Sequence, residues 1–114
     1  MMLTGEVTGM ASDRPFALSI IIPALNEAAR IERTLDCLQA MRRRGSQVIL
    51  VDGNSNDGTH ALATPLVDCV VTAPPGRASQ MRAGLAQAHH AVIWFLHADT
   101  LVPENADLVI LAAL

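Results

Sequence analysis

Four short apolar segments constrain the fold of this 114-residue chain more than any other feature. Each is rich in β-branched or aliphatic residues and is too short for a buried helix, which favours a strand. Continuous rather than alternating apolar character is typical of strands that are buried on both faces of a parallel sheet. The predicted strands are residues 18–23, 47–51, 67–72 and 91–96.

A segment with helical spacing follows each predicted strand. The first helix is predicted to begin after Asn26, whose side chain can cap it, and to end at Gly45. Later helices are predicted over residues 58–63 and 77–89, and from Pro103 onwards. The order β-α-β-α-β-α-β-α predicts an α/β fold: an open, mostly parallel sheet with helices on both faces.

The chain is predicted to form one domain, residues 18–114, which is preceded by a flexible leader, residues 1–17. The leader lacks the basic start and continuous apolar stretch of a signal peptide. The longest apolar runs are far short of the roughly 20 residues that cross a bilayer, so no transmembrane segment is predicted. Cys37 and Cys69 lack metal-type spacing and are interpreted as reduced core thiols, which favours a cytoplasmic protein.

Charge and aromatic content argue against a nucleic-acid partner. The formal net charge is −3, and aromatic residues make up only 3% of the sequence, too few to stack on bases. The one basic cluster, residues 42–44, is interpreted as a solvated helix end that compensates the helix dipole.

Polar residues gather directly after the predicted strands, in residues 23–27, 52–59, 73–77 and 97–100. Parallel strands would bring these four segments to one rim, where open α/β sheets bind ligands. The loop after the second strand has more carboxylates, amides and hydroxyls than a turn requires. An Asx-type turn accounts for Asn54, Ser55 and Asp57 in that loop, but less well for Asp52.

Four rim residues suggest specific chemistry. Asp99, with His97 two positions before it, could reach a divalent cation if the backbone bends there, although Asp99 could instead cap a turn. Asp52 could accept hydrogen bonds from a nucleobase or a ribose, or could cap the next helix. Arg77 at a predicted helix start suggests a nearby phosphate held jointly with helix N–H groups, with a solvated surface position as the alternative.

Four segments in this order resemble the N-terminal, nucleotide-sugar-binding half of a family 2 glycosyltransferase of the A-type glycosyltransferase (GT-A) fold. SIIIPALNEA resembles the first strand and its Asn-Glu turn, and VDGNSNDGT resembles the nucleotide loop Val-Asp-Asp-Gly-Ser-x-Asp-Gly-Thr. GRASQMRAGLAQA resembles the Gly-x-x-x-Ala-x-Asn-x-Gly helix, and VIWFLHADTLVP the strand with the metal-binding Asp-x-Asp. The particular residues within the last two segments resemble those of a small bacterial subgroup of this family.

The resemblance implies an inverting transferase that moves a sugar from a nucleotide-diphosphate sugar to an unknown acceptor with Mn²⁺ or Mg²⁺. It implies that Asp99 binds this divalent metal, with His97 as a second candidate ligand. The donor-binding residues it implies are Pro23, Leu25, Glu27, Asp52, Arg77, Gln80 and Asp99.

The sequence also departs from the family pattern. Gly53 replaces the second Asp of the nucleotide loop, His97 the first Asp of the metal motif, and Arg82 the Asn of the helix motif. The chain ends at Leu114, one helix past the metal strand, so it is predicted to be truncated and no general base is assigned. The alternative function is a non-catalytic α/β nucleotide-binding or assembly module. In either case an open sheet edge favours a homo-oligomer, and the acceptor could bring the protein to a membrane.

Overall fold

A computed structural model describes residues 17–114, so the predicted leader lies outside the described residues except for Ala17. Four parallel strands form one sheet in the order β3-β2-β1-β4, which confirms the predicted α/β architecture. The predicted strands all occur, with ends shifted by one or two residues. Their bounds are Ser19–Ala24 (β1), Gln47–Asp52 (β2), Cys69–Thr72 (β3) and Ile93–Phe95 (β4).

Five short helices connect and follow the strands. They are Ile31–Asp36 (α1), Gln39–Arg43 (α2), Thr59–Ala63 (α3), Arg77–Leu85 (α4) and Ala106–Ala112 (α5), with a 3-10 turn at Thr64–Leu66 after α3. Within residues 17–114, no helix combines the length and the apolar character needed to span a bilayer.

The prediction of one long first helix is wrong, because the helix breaks between α1 and α2. The carbonyl of Leu35 accepts hydrogen bonds from the backbone N–H of Leu38 and from the side chain of Gln39, at 3.0 and 2.9 Å. The Gln39 amide also reaches the carbonyl of Leu66, which draws this side chain toward the turn after α3. In a regular α-helix the carbonyl of Leu35 would accept from the backbone N–H four residues later. The side-chain bond from Gln39 and the backbone bond from Leu38, only three residues later, therefore interrupt the regular pattern of helical hydrogen bonds at this point.

Asn26 does not cap α1, contrary to the sequence prediction. Its backbone is left-handed, with φ of 52°, and α1 begins later, with Arg30 at its N-cap position. The Asn26 side chain instead accepts a hydrogen bond of 2.9 Å from the backbone N–H of Asn56. Asn tolerates this conformation better than most residues, so it serves the loop rather than the helix.

Both faces of the sheet are buried. Ile20 and Ile22 of β1 point into the larger core, which includes Leu35 of α1 and Met41 of α2. Ile21 points to the opposite face and packs with Ile49, Val51 and neighbouring side chains under α4. The alternation of side chains along a strand thus divides one apolar run between two cores.

Gly84 brings α4 unusually close to the sheet. A Cβ at this position would lie 2.4 Å from Cγ2 of Ile21 and 3.1 Å from Cγ2 of Val51. The absence of a side chain therefore sets the distance between α4 and the central strands.

The basic cluster at the end of α2 forms ion pairs and is not simply solvated. Arg42 pairs with Asp68 at 3.2 Å, and Arg44 pairs with Asp107 of α5 at 2.6 Å. The Asp107 side chain is fully buried and accepts a second hydrogen bond of 2.9 Å from Nε of Arg44. This two-bond geometry fastens α5 to the end of α2.

The Arg44–Asp107 pair makes folding stability depend on pH. Burial tends to raise the pKa of Asp107, but hydrogen bonds from Arg44 and from the backbone N–H of Leu108 outweigh it, and the pKa is lowered. The carboxylate therefore contributes stability above its unfolded pKa of about 3.9, and this contribution is lost as the pH falls through the lower folded value. We expect Asp107→Asn to be less stable than the wild type at pH 7, with a difference that narrows below about pH 4.

Urea unfolding between pH 7 and pH 2 measures this difference. Glu32→Gln, an exposed substitution on α1, is the matched control and should track the wild type at every pH. If Asp107→Asn differed from the wild type by the same free energy of unfolding at pH 7 and pH 2, the pH-dependent contribution assigned to the Arg44–Asp107 pair would be wrong.

Candidate functional site

The carboxyl ends of the strands meet at one rim, as the sequence predicts for parallel strands. Ala24 at the end of β1 pairs with Asp52, and Asp52 pairs with Thr72 at the end of β3. The strands β2 and β3 lie on one side of β1, whereas β4 lies on its other side. The direction in which successive strands are added to the sheet therefore reverses, and the switch lies between β1 and β4. Such a switch point leaves a crevice at the carboxyl ends of the strands, where open α/β sheets bind ligands.

A pocket occupies this switch point. Its lining includes both charged or polar and apolar side chains, and it brings together three residues predicted for the site: Pro23, Arg77 and His97. Leu25 lies just beyond the end of β1 and is exposed. The lining residues of the pocket are Pro23, Arg77, Met81, Phe95, Leu96 and His97.

The polar loop after β2 is fastened to the loop after β1. Ser55 Oγ accepts a hydrogen bond of 2.8 Å from the backbone N–H of Asn26, and Thr59 Oγ1 accepts one of 2.9 Å from that of Glu27. Asp57 accepts one of 3.1 Å from the N–H of Ala28. A hydrogen bond from the Thr59 hydroxyl is the main reason that the pKa of Asp57 is lowered. Ser55 and Asp57 thus have the structural role that an Asx-type loop predicts.

Asp52 differs from these loop residues because it is nearly buried, with 3% of its surface exposed. One carboxylate oxygen accepts a hydrogen bond of 3.0 Å from the backbone N–H of Ser55. The other lies 3.6 Å from Nδ1 of His60, whose side chain is half exposed. No sequence signal points to His60, since its distance from Asp52 along the chain fits no recognised motif.

Glu27 offers an acceptor that the protein leaves unused. Among residues 17–114, its Oε2 is the single buried side-chain polar atom without a hydrogen-bond partner. The nearest cation is Arg30, whose Nη1 lies 3.8 Å away, too far for a hydrogen bond. A buried carboxylate oxygen without a donor is costly, and a hydroxyl or N–H of a ligand would relieve that cost.

The segment after β4, which carries His97 and Asp99, forms a turn. The backbone N–H of Thr100 donates to the carbonyl of His97 at 3.1 Å, which closes a turn with Ala98 and Asp99 at its centre. The buried hydroxyl of Thr34 donates to the carbonyl of Ala98 at 2.6 Å and fixes this turn to α1. His97 and Asp99 are both exposed at the rim.

The turn carries an exposed carboxylate and an exposed imidazole, which are types of side chain that can bind a divalent ion together with phosphates. Within residues 17–114, no cluster of three or more His, Cys, Asp or Glu side chains could hold a metal. A cation beside Asp99 would therefore take most of its ligands from a bound molecule and from water, as Mg²⁺ and similar hard ions do with nucleotide phosphates.

The start of α4 lies beside the pocket. Gly76 at the N-cap has φ of 141°, which favours glycine, and no side chain caps the helix. Arg77 follows at the first helical position and is exposed. Uncapped N–H groups beside a guanidinium are suited to an anion, because the helix dipole and the side-chain charge both attract it.

Gln80 lies at the same rim, but its amide faces inward. The side chain is 6% exposed, and Nε2 donates to the carbonyls of Ala24 and Val51, at 3.0 Å each. Its Oε1 accepts a hydrogen bond of 3.1 Å from the backbone N–H of Gly76. Both amide hydrogens and the amide oxygen are therefore engaged within the protein.

Comparison with known proteins identifies the same family over nearly the whole described region. The sequence model for Glycosyl transferase family 2 matches residues 19–114. No protein of curated function matches the chain.

Solved structures share the fold. A mannosyltransferase from Pyrobaculum calidifontis, in complex with GDP-Man and Mn²⁺, is 27% identical with a TM-score of 0.74, and the match covers 95% of this chain and 35% of that one. Glucosyl-3-phosphoglycerate synthase from Mycobacterium tuberculosis, in complex with Mn²⁺, UDP and glucosyl-3-phosphoglycerate, is 24% identical with a TM-score of 0.69, covering 78% and 36%. TarS from S. aureus, in complex with UDP-GlcNAc, is 22% identical with a TM-score of 0.70, covering 85% and 30%. The chain thus spans about a third of the length of each.

Proposed function

Because the chain belongs to glycosyltransferase family 2, we propose that it binds a nucleotide-diphosphate sugar with Mn²⁺ or Mg²⁺ and supplies the donor site for transfer of the sugar to an acceptor. The observation that carries the proposal is the pocket at the switch point, where Pro23, Arg77 and His97 lie together. The buried Asp52 lies at the same rim of the sheet, paired with Ala24 at the end of β1. The mannosyltransferase structure with GDP-Man and Mn²⁺ supports this choice of ligand and metal.

The nucleoside would lie between the loops after β1 and β2. Asp52 and the unpaired oxygen of Glu27 would accept hydrogen bonds from the base or the ribose. Pro23 and the exposed Leu25 would give this part of the site an apolar wall. Buried acceptors select strongly for a ligand that donates to them, since an unmatched acceptor is costly.

The diphosphate would lie between α4 and the turn after β4. Arg77 and the N-terminus of α4 would attract its oxygens, and Asp99, with His97 as a second ligand, would hold the metal. When bound, such an ion neutralises the negative charge that develops on a departing diphosphate. We propose that the acceptor hydroxyl attacks the anomeric carbon with inversion, as in the family pattern. The new glycosidic C–O bond forms as the bond to the nucleoside diphosphate breaks, and the hydroxyl proton passes to a general base to which no residue is assigned.

A non-catalytic role, in which the chain binds the donor or takes part in an assembly, is the second candidate. It is favoured by two separate features: Leu108 and Val109 of α5 are exposed, and β4, at one edge of the sheet, has only three residues. Exposed apolar side chains and sheet edges are each typical of contact surfaces, which also supports the proposed homo-oligomer. The proposal also includes a bacterial source, a cytoplasmic location and association with a membrane through the acceptor.

Calorimetric titration with UDP, GDP and CDP, each with and without Mn²⁺, tests the proposal. We expect one nucleotide to bind in a metal-dependent manner. Asp52→Ala should weaken that binding about 10- to 100-fold, the loss expected for a hydrogen bond to a charged group, without changing the circular dichroism spectrum.

Asp36→Ala is the matched control, because Asp36 is an exposed carboxylate on α1. It should bind nucleotide like the wild type. Flat titrations of the folded wild type with all three nucleotides would reject the proposal. If a nucleotide binds but no labelled sugar is transferred, the non-catalytic role is favoured.

A further inference from the structure

The amide of Gln80 joins three separate parts of the rim. Through Nε2 it holds the ends of β1 and β2 together, at the carbonyls of Ala24 and Val51. Through Oε1 it holds the backbone N–H of Gly76, where α4 begins. The orientation of this amide is determined by its partners, since a flipped amide would place its oxygen against two carbonyls and its nitrogen against an N–H.

Gly53 leaves the space that this amide occupies. A Cβ at position 53 would lie 3.0 Å from Nε2, 3.1 Å from Cδ and 3.3 Å from Oε1 of Gln80. Among residues 17–114 the glycines with positive φ are Gly45, Gly58 and Gly76, so backbone conformation does not favour glycine at position 53. The crowding there comes from the side chain of Gln80, which would have to shift by a few tenths of an ångström to admit a Cβ.

We infer that Gln80 is a positioning residue of the donor site, and that its hydrogen-bonded amide disfavours a side chain at position 53. The inference rests on the proposed function. Asp52 lies between Val51, whose carbonyl the amide binds, and Gly53, against which the amide packs. The amide oxygen of Gln80 accepts a hydrogen bond from the backbone N–H of Gly76, and Arg77 directly follows Gly76.

One side chain thus fixes the spacing between the residue proposed for the nucleoside and the residue proposed for the phosphates. Since all its polar groups are engaged within the protein, Gln80 acts on the donor through these neighbours and without touching it. This role differs from the direct donor contact that the family resemblance implies.

A double-mutant cycle at positions 53 and 80 tests the packing step. We expect Gly53→Ala to lower the Tm by about 5 °C or more in the wild type, because the amide must move. In the Gln80→Ala background the same substitution should have almost no effect, since the amide is gone. An equal loss of Tm in both backgrounds would overturn the claim that the Gln80 amide disfavours a side chain at position 53.

Nucleotide binding tests the positioning step. Gln80→Leu keeps most of the side-chain volume and removes the three hydrogen bonds, and we expect it to weaken binding about tenfold at a temperature where it is fully folded. Gln87→Leu, at an exposed position just after α4, should bind normally. Ile20→Val, a buried core change that also lowers the Tm, should bind normally too. If Gln80→Leu loses stability but binds like Ile20→Val, the residue is only structural and the inference fails.

Amide hydrogen exchange separates this inference from the proposed function, because it needs no ligand. We expect Gln80→Leu to speed exchange at Gly76 and Gly53, both next to proposed donor residues, and to leave Ile21 in the middle of β1 unchanged. If the wild type binds no nucleotide and exchange changes in this pattern, the donor function fails while the positioning of the rim by Gln80 stands. Unchanged exchange at both glycines would overturn the inference whatever the nucleotide result.

Discussion

Gly84→Ala is expected to destabilise the folded chain by about 2 kcal/mol, although alanine is the better helix former. Two effects oppose each other. Replacing glycine by alanine within a helix contributes about 1 kcal/mol of stability. The new methyl group would lie 2.4 Å from Cγ2 of Ile21 and 3.1 Å from Cγ2 of Val51, and overpacking of this kind costs about 3 kcal/mol. The steric cost therefore exceeds the gain in helix propensity.

The clash also determines how the protein responds. Ile21 and Val51 are fully buried in central strands and have no space into which to withdraw, so α4 must move outward. Such a movement would carry Arg77 and Gln80 away from the ends of β1 and β2, and we expect nucleotide binding to weaken along with stability.

Urea unfolding of Gly84→Ala measures the free energy directly. Ile21→Ala removes the nearest contact atoms, so the loss of stability in the Ile21→Ala/Gly84→Ala double variant should be smaller than the sum of the two single losses. A Gly84→Ala variant as stable as the wild type would show that α4 has room above the sheet and would contradict the close approach.

Asp99→Ala is expected to abolish the metal dependence of nucleotide binding. Asp99 is the one carboxylate of the turn after β4, and His97 offers only an imidazole nitrogen, which hard divalent ions bind less readily than an oxygen ligand. Affinity in the presence of Mn²⁺ should therefore fall about 10- to 100-fold, to the value measured without metal.

Titrations with and without EDTA separate the metal contribution from other contributions to binding. His97→Ala should have a smaller effect than Asp99→Ala. Glu104→Ala, an exposed carboxylate beyond the turn, should keep the full Mn²⁺ dependence. Undiminished Mn²⁺ dependence in Asp99→Ala would place the ion elsewhere in the protein.

The sequence was a good guide to the strands and to the rim because both follow from local patterns. Continuous apolar runs predicted a parallel sheet buried on both faces, and the ends of its strands determined where polar residues would meet. The first helix was mispredicted because its apolar periodicity does not reveal that the Gln39 side chain competes for the carbonyl of Leu35.

The candidate site was less predictable, since the direction of a side chain depends on contacts distant in sequence. The family resemblance implies that Gln80 contacts the donor, but its amide faces two strand ends. His60 approaches Asp52 only because α3 begins immediately after the folded polar loop. The unpaired oxygen of Glu27 likewise depends on where Arg30 lies at the start of α1.

The strand order has a consequence for how the protein folds. β1 lies between β2, which follows it closely along the chain, and β4, which is separated from it by most of the domain: Ile20 pairs with both Val48 and Trp94. Bringing β4 to β1 closes a longer loop than bringing β2 to β1, and so costs more chain entropy. Because β4 has only three residues, it forms few hydrogen bonds to offset that cost, and we expect it to join the sheet last. The pocket between β1 and β4 is then the final part of the molecule to form and the first to open, which would allow a bulky donor to enter without unfolding the rest.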